Sequence, residues 1–219
     1  NPLIIAEAFT IGSSTASVTM SNGGTSTIGT DMSSTGINLT LNTSSNINIA
    51  RDVLSSANAF TWNKTAGTVA VANDVNTSAN SFIFSNTGGA MTVGNDFLST
   101  GNTVVHTNSA SFSVGRHVSF TGTPVSVNNS STYLLGTTGA GNWTSTNTAA
   151  TLLNTGGTWT VDDNMSTGTV STMNTSGGGV TTITGGHLTL GDNNTWTNSG
   201  TTTVPLGNVV LGSTNAWAN

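Results

Sequence analysis

The sequence predicts an all-β, single-domain parallel β-solenoid (β-helix): about ten coils of roughly 21 residues over positions 1–219, with no helices. Three observations predict it. A short phrase recurs in register as Ile49-Ala50-Arg51-Asp52-Val53, Val71-Ala72-Asn73-Asp74-Val75, Val93-Gly94-Asn95-Asp96-Phe97 and Val114-Gly115-Arg116-His117-Val118, at steps of 22, 22 and 21 residues. After each phrase two alternate positions form a second inward group, Phe60/Trp62, Phe82/Phe84, Val104/His106 and Val125/Val127, which is the two-residue period of a strand with one buried face. Finally, no stretch shows apolar spacing of helical period; β-branched Thr and Val dominate, and Gly or Asn interrupts every few residues.

Taken in order, the chain opens with the phrase in weak form at Phe9-Thr10-Ile11-Gly12. Ile28-Gly29-Thr30-Asp31-Met32 is the next copy, with Ile37, Leu39 and Leu41 as its second group. Beyond the four clear copies the phrase continues at Leu135-Gly136, Val161-Asp162, Leu190-Gly191 and Leu211-Gly212. The ladder of leading positions is then 11, 28, 49, 71, 93, 114, 135, 161, 190 and 211, which places longer coils between about 135 and 190. Within that region Thr155-Gly156-Gly157-Thr158 and Thr175-Ser176-Gly177-Gly178-Gly179 read as loops, since they carry the Gly that positive φ requires. Gly or Ala after the leading aliphatic marks a tight corner. The polar pair that follows faces solvent, and the next aliphatic (Met32, Val53, Val75, Phe97, Val118, Met165) points back in.

Composition narrows the function classes. Asn, Ser, Thr and Gly fill 127 of 219 positions while charged residues are 5%, so the chain is core-poor but too weakly charged and too periodic for disorder. Three basic residues against eight acids exclude a nucleic-acid partner, whose phosphates demand a cationic surface. No apolar run reaches the roughly 18 to 20 residues of a membrane span. The absence of cysteine excludes disulfides and thiolate metal sites, and no cofactor motif is present. Scarce lysine with abundant Asn, Ser and Thr points to the cell exterior.

Candidate site residues fall into four groups. Asp31, Asp52, Asp74 and Asp96 share one place in successive coils, with His117 next in line; they read as corner-capping side chains, with a bound cation as the sharper alternative. Asp162, Asp163 and Asp192 lie in adjacent coils beside the longer loops, where paired carboxylates would suit polysaccharide cleavage. Against this, no Lys or Arg occurs beyond residue 116 to hold an acidic sugar. Trp196 and Trp217 stand one coil apart and should stack, as a core ladder or as a sugar platform. His106 is in the inward register and reads as a core histidine rather than a ligand. Thr158/Thr160 and Thr201/Thr203 are Thr-x-Thr pairs similar to those of ice-binding solenoids, but they are not in one register over many coils.

The phrases Ile49-Ala50-Arg51-Asp52-Val53 and Val93-Gly94-Asn95-Asp96-Phe97 resemble the repeats of secreted β-solenoids of the filamentous haemagglutinin and autotransporter-passenger type, and the segment from Gly185 to Gly200 is similar to an autotransporter-associated strand repeat. The resemblance covers most of the chain and implies a surface fibre or adhesin, located outside the cell or on its surface. Neither end shows an amphipathic or charged cap, so the end residues Leu3, Ile5, Phe9, Ile11, Leu211 and Trp217 are candidates for head-to-tail stacking. The expectation is a non-enzymatic structural subunit whose partners are copies of itself and, secondarily, surface glycans. The alternative is a carbohydrate-binding or polysaccharide-cleaving β-helix with its site near Asp162, Asp163 and Asp192.

Overall fold

A computed structural model describes residues 3–12, 16–21, 24–36, 38–101, 103–121, 124–146 and 149–219. Ile37, expected in an inward group, lies outside the described residues, as do Asn1 and Pro2. The chain is a parallel β-solenoid. Each coil contributes one short strand to each of three sheets; Thr68–Val71, Val75–Thr77 and Ser81–Asn86 make up one coil. Every sheet has ten strands, taken from every third strand in sequence. From Phe9, aligned through Met32, to Val209, aligned through Leu188, the chain makes nine turns of about 22 residues.

Strand burial alternates through the body of the rod, as in Ser81–Asn86, where Phe82, Phe84 and Asn86 are buried and Ser81, Ile83 and Ser85 face out. The expected second inward group therefore holds. Phe60, Phe82, Val104 and Val125 form one column of the third sheet, and Trp62, Phe84, His106 and Val127 form the next. Opposite them the second sheet stacks Met32, Val53, Val75, Phe97, Val118, Trp143, Met165 and Leu188. At mid-rod the columns meet in a continuous aromatic centre. Phe97, Phe112, Tyr133 and Trp159 contact one another or their neighbours at centroid distances of 4.9 to 5.4 Å.

The leading ladder needs correction at its ends. In the first sheet the aligned residues are Ile5, Ile28, Ile49, Val71, Val93, Val114, Leu135, Val161 and Ile183. Ile11, Leu190 and Leu211 belong to the second sheet, where Ile11 pairs with Ser34 and Leu190 pairs with Thr167 and Leu211. The reason is local: an aliphatic residue followed by Gly marks a corner, and this chain uses that dipeptide at two different corners. Only one long insertion then remains. Leu135 to Trp143 spans eight steps, where the partner corner Val114 to Val118 spans four. This loop is pinched shut at its base, since a Cβ on Gly141 would lie 2.6 Å from the Cα of Gly136, itself at φ +88°. The expected loops at 155–158 and 175–179 are small, adding one and two residues to the turn from the third sheet to the first.

Register also bears on the threonines. Thr132, Thr158, Val180 and Thr201 form one outward row of the first sheet, and Leu134, Thr160, Thr182 and Thr203 form the adjacent one. The two Thr-x-Thr pairs therefore share a register two coils apart, but Val180 stands between them and Leu134 before them, so the pair does not recur over many coils.

Candidate functional site: the polar corner columns

The first corner, between the first and second sheets, carries a continuous column of acceptor side chains. The N–H of Asp52 donates to Asp31 Oδ1 at 3.2 Å, Asp74 to Asp52 Oδ1 at 3.0 Å, Asp96 to Asp74 Oδ1 at 3.0 Å and His117 to Asp96 Oδ1 at 3.1 Å. The series runs on without a break. Asn142 N–H donates to His117 Nδ1 at 3.3 Å, Asn164 to Asn142 Oδ1 at 3.0 Å, His187 to Asn164 Oδ1 at 2.9 Å and Asn208 to His187 Nδ1 at 3.0 Å. The preceding corner N–H groups bond to carbonyls of the neighbouring coil, as Asn73 N–H does to Arg51 O at 3.0 Å, while the N–H of the column residue takes a side-chain acceptor instead, so that each coil's side chain caps the coil that follows. The four aspartates are thus brought into line as expected, each with one carboxylate oxygen committed to backbone. Arg116 Nη2 lies 2.8 Å from Asp96 Oδ2 and Arg51 Nε lies 3.5 Å from Asp31 Oδ1. Among the described residues no group of three or more His, Cys, Asp or Glu comes together to hold a metal.

The same corner gathers nearly all the charge. Glu7, Asp31, Asp52, Asp74, Asp96, Asp162 and Asp163, seven of the eight acids, lie on it with both arginines. The strands' outward rows carry no charged residue.

At the third corner, where the third sheet turns to the first, a second column runs inside. Asn86 Nδ2 donates to Asn108 Oδ1 at 2.8 Å, Asn108 Nδ2 to Asn129 Oδ1 at 2.9 Å and Asn129 Nδ2 to Asn154 Oδ1 at 3.0 Å. Each amide also donates to a carbonyl of the adjoining turn, as Asn108 does to Thr132 O at 3.0 Å. All four asparagines are buried, so the column replaces water for groups that would otherwise be unsatisfied.

Lys64 stands at the foot of this column, in register with Asn86, and its side chain is fully buried. Its Nζ donates to Gly67 O at 2.8 Å and to Gly88 O. Burial pushes its pKa down from 10.5 to about 8. From sequence alone Lys64 counts only as one of the three basic residues. The signal was available: written in register, Thr43, Lys64, Asn86, Asn108, Asn129 and Asn154 read as one polar inward column.

The other candidates separate. Asp162 and Asp163 precede the strand Met165–Thr167, whereas Asp192 follows its neighbour Leu188–Leu190, so they stand at opposite ends of paired strands. Asp162 Oδ1 accepts from Thr184 Oγ1 at 3.0 Å, and Asp192 Oδ1 from Ser213 N–H at 2.6 Å. Trp196 and Trp217 lie one above the other in register, with ring centroids 4.1 Å apart and planes tilted by 39°. Trp196 is wholly buried, which makes it core, and Trp217 is 45% exposed. His106 is a core residue as expected, packed against Phe84 and Phe112 at 4.8 Å, and desolvation lowers its pKa to about 3. Of the end residues, Ile5, Phe9 and Ile11 pack partly against the core, while Leu3, Leu211 and Trp217 are exposed.

A shallow open groove of about 310 Å³ crosses the second sheet, lined by Ser33, Ser34, Leu54, Ser55, Asn76 and Ser78 among others, with no titratable group. Among the described residues no helix is long and apolar enough to cross a membrane. No family model, no curated protein and no solved structure matches the chain, so the parallel β-solenoid itself is what the molecule is placed by.

Proposed function

We propose that this chain is structural: a segment of an extracellular or cell-surface fibre or adhesin shaft, of the filamentous haemagglutinin or autotransporter-passenger type, that continues head to tail by stacking coil on coil. The observation that carries this reading is the uninterrupted stacking: three ten-stranded parallel sheets and the first-corner side-chain column pass from coil to coil in a geometry that a further coil extends without change. In the outermost described coils the strands Ile4–Ile5, Phe9–Gly12 and Ala16–Met20 at one end, and Thr201–Thr203, Val209–Leu211 and Ala216–Ala218 at the other, each have a neighbour on one side only. Such edges present unpaired backbone groups. Large apolar side chains concentrate there as well: Leu3, Ile4, Leu206, Val209, Val210, Leu211 and Trp217 are exposed, against Leu54, Ile83 and Val170 elsewhere among the described residues.

A following coil, from the same polypeptide or from another copy, extends all three sheets, covers Trp217 and gives the Asn208 side chain the N–H that its predecessors in the column receive. The low charge and Asn/Ser/Thr-rich surface support an exterior location. The carbohydrate-cleaving alternative draws no support from side-chain placement, because Asp162 and Asp163 stand apart from Asp192. The test is electron microscopy of the purified chain at high concentration. Unbranched filaments with an axial repeat near the strand spacing of about 4.8 Å are expected; monodisperse short rods at every concentration would overturn head-to-tail assembly.

A further inference from the structure

We propose that His117 and His187 are acid-sensitive joints in the first-corner column, which lose their hold on the following coil when the imidazole is protonated. Every other member of the column is Asp or Asn, whose oxygen accepts an N–H irrespective of pH in the neutral range. His117 and His187 do the same work through Nδ1, which faces Asn142 N at 3.3 Å and Asn208 N at 3.0 Å. A ring nitrogen accepts only when it carries no proton, so both rings must be the neutral tautomer with hydrogen on Nε2. Protonation puts a hydrogen on Nδ1. Two donors then face each other, and the corner N–H loses its acceptor.

Among the described residues no second acceptor is bonded to either corner N–H. Below His117, Asp96 spends Oδ1 on the backbone N–H of His117 and Oδ2 on Arg116. Above it stands Asn142, whose Nδ2 also lies 3.2 Å from the same Nδ1 and is a donor. Below His187 stands Asn164, flanked by Asp162 and Asp163, of which Asp162 accepts from Thr184. Above it Asn208 belongs to a corner with no charged residue, Val204 to Val209. The two joints are unevenly placed. One sits at the base of the inserted loop 136–142, and the other holds the last described coil, so the half of the rod built on aspartates keeps its column while the other half loosens.

The experiment is nuclear magnetic resonance on the intact chain between about pH 8 and pH 5, the range in which imidazoles titrate, reading ring nitrogens and amide exchange together. The expected result is an Nε2–H tautomer at high pH. As the rings titrate, protection of the Asn142 and Asn208 amides should fall about tenfold relative to Asp52 and Asp74, the worth of one net hydrogen bond. His117→Asn and His187→Asn, which supply the acceptor the column uses elsewhere, should abolish the fall. Reading individual amides keeps His106 out of the measurement. An Nδ1–H tautomer in the wild type, rings that titrate with no loss of protection, rings that stay neutral until the whole rod unfolds, or a fall that persists in the Asn variants would each overturn the proposal.

Discussion

The two polar columns run the length of the same rod and solve different problems. On the first corner the side chain needs only to accept one N–H, with water available to its remaining atoms, and Asp, Asn and His interchange there freely. On the third corner the side chain is sealed from water; all four amides donate, Asn108, Asn129 and Asn154 also accept from the Asn before them, and from residue 86 to 154 it is always Asn. Exposure thus sets how much chemistry a column position tolerates. An exposed column constrains one atom of a residue, whereas a buried one constrains the whole group.

Substitutions at four positions would break or sharpen this contrast. The largest effect is expected from Asn108→Ala, which leaves Asn86 Nδ2 and Asn129 Oδ1 without their buried partner; urea denaturation should show a loss of about 3 kcal/mol, and a loss under about 1 kcal/mol would mean that water enters the column. Next comes Lys64. Its folded-state pKa is depressed to about 8 from 10.5, so below about pH 8 both folded and unfolded chains are protonated and the full cost of the buried ammonium is present. Between about 8 and 10.5 the unfolded chain holds more proton, so stability should climb with pH across that window and level off above it. Lys64→Asn should stabilise the rod at pH 7 and flatten the climb; a thermal melt series with the same slope in both proteins would dismiss Lys64 as its source.

On the exposed column Asp74→Ala should cost about 1 kcal/mol for one lost acceptor, while Asp74→Asn should change stability little. Equal costs for the two would show that the negative charge, rather than the acceptor, matters there. The smallest effect is expected from Arg116→Ala, since its ion pair with Asp96 is half exposed; a change beyond about 0.5 kcal/mol by denaturation would be surprising for such a pair.

The fold was legible because its period and its alternation are both written in side chains: Phe82/Phe84 and Val104/His106 announce an inward face at a fixed spacing without any knowledge of the third dimension. The number of sheets was less legible. Ile11-Gly12 and Leu190-Gly191 look like Ile28-Gly29, because a tight corner selects the same small residue wherever it occurs, and only pairing tells the corners apart. The aspartate line was visible from the four clear phrases. Its continuation through Asn142, Asn164 and His187 was hidden by the four extra residues of the 136–142 loop, which shift the register. Lys64 was passed over for a related reason: a charged side chain reads as part of the surface charge until its column neighbours are written beside it.

The gathering of charge on one corner makes the rod electrically one-sided, like a hull with a keel. Two rods lying side by side repel when keel meets keel and meet almost no repulsion when their uncharged flanks meet, so rotation about the long axis, rather than distance alone, decides whether they approach. At physiological salt the repulsion fades within about 8 Å, which confines this choice of orientation to rods already close to touching.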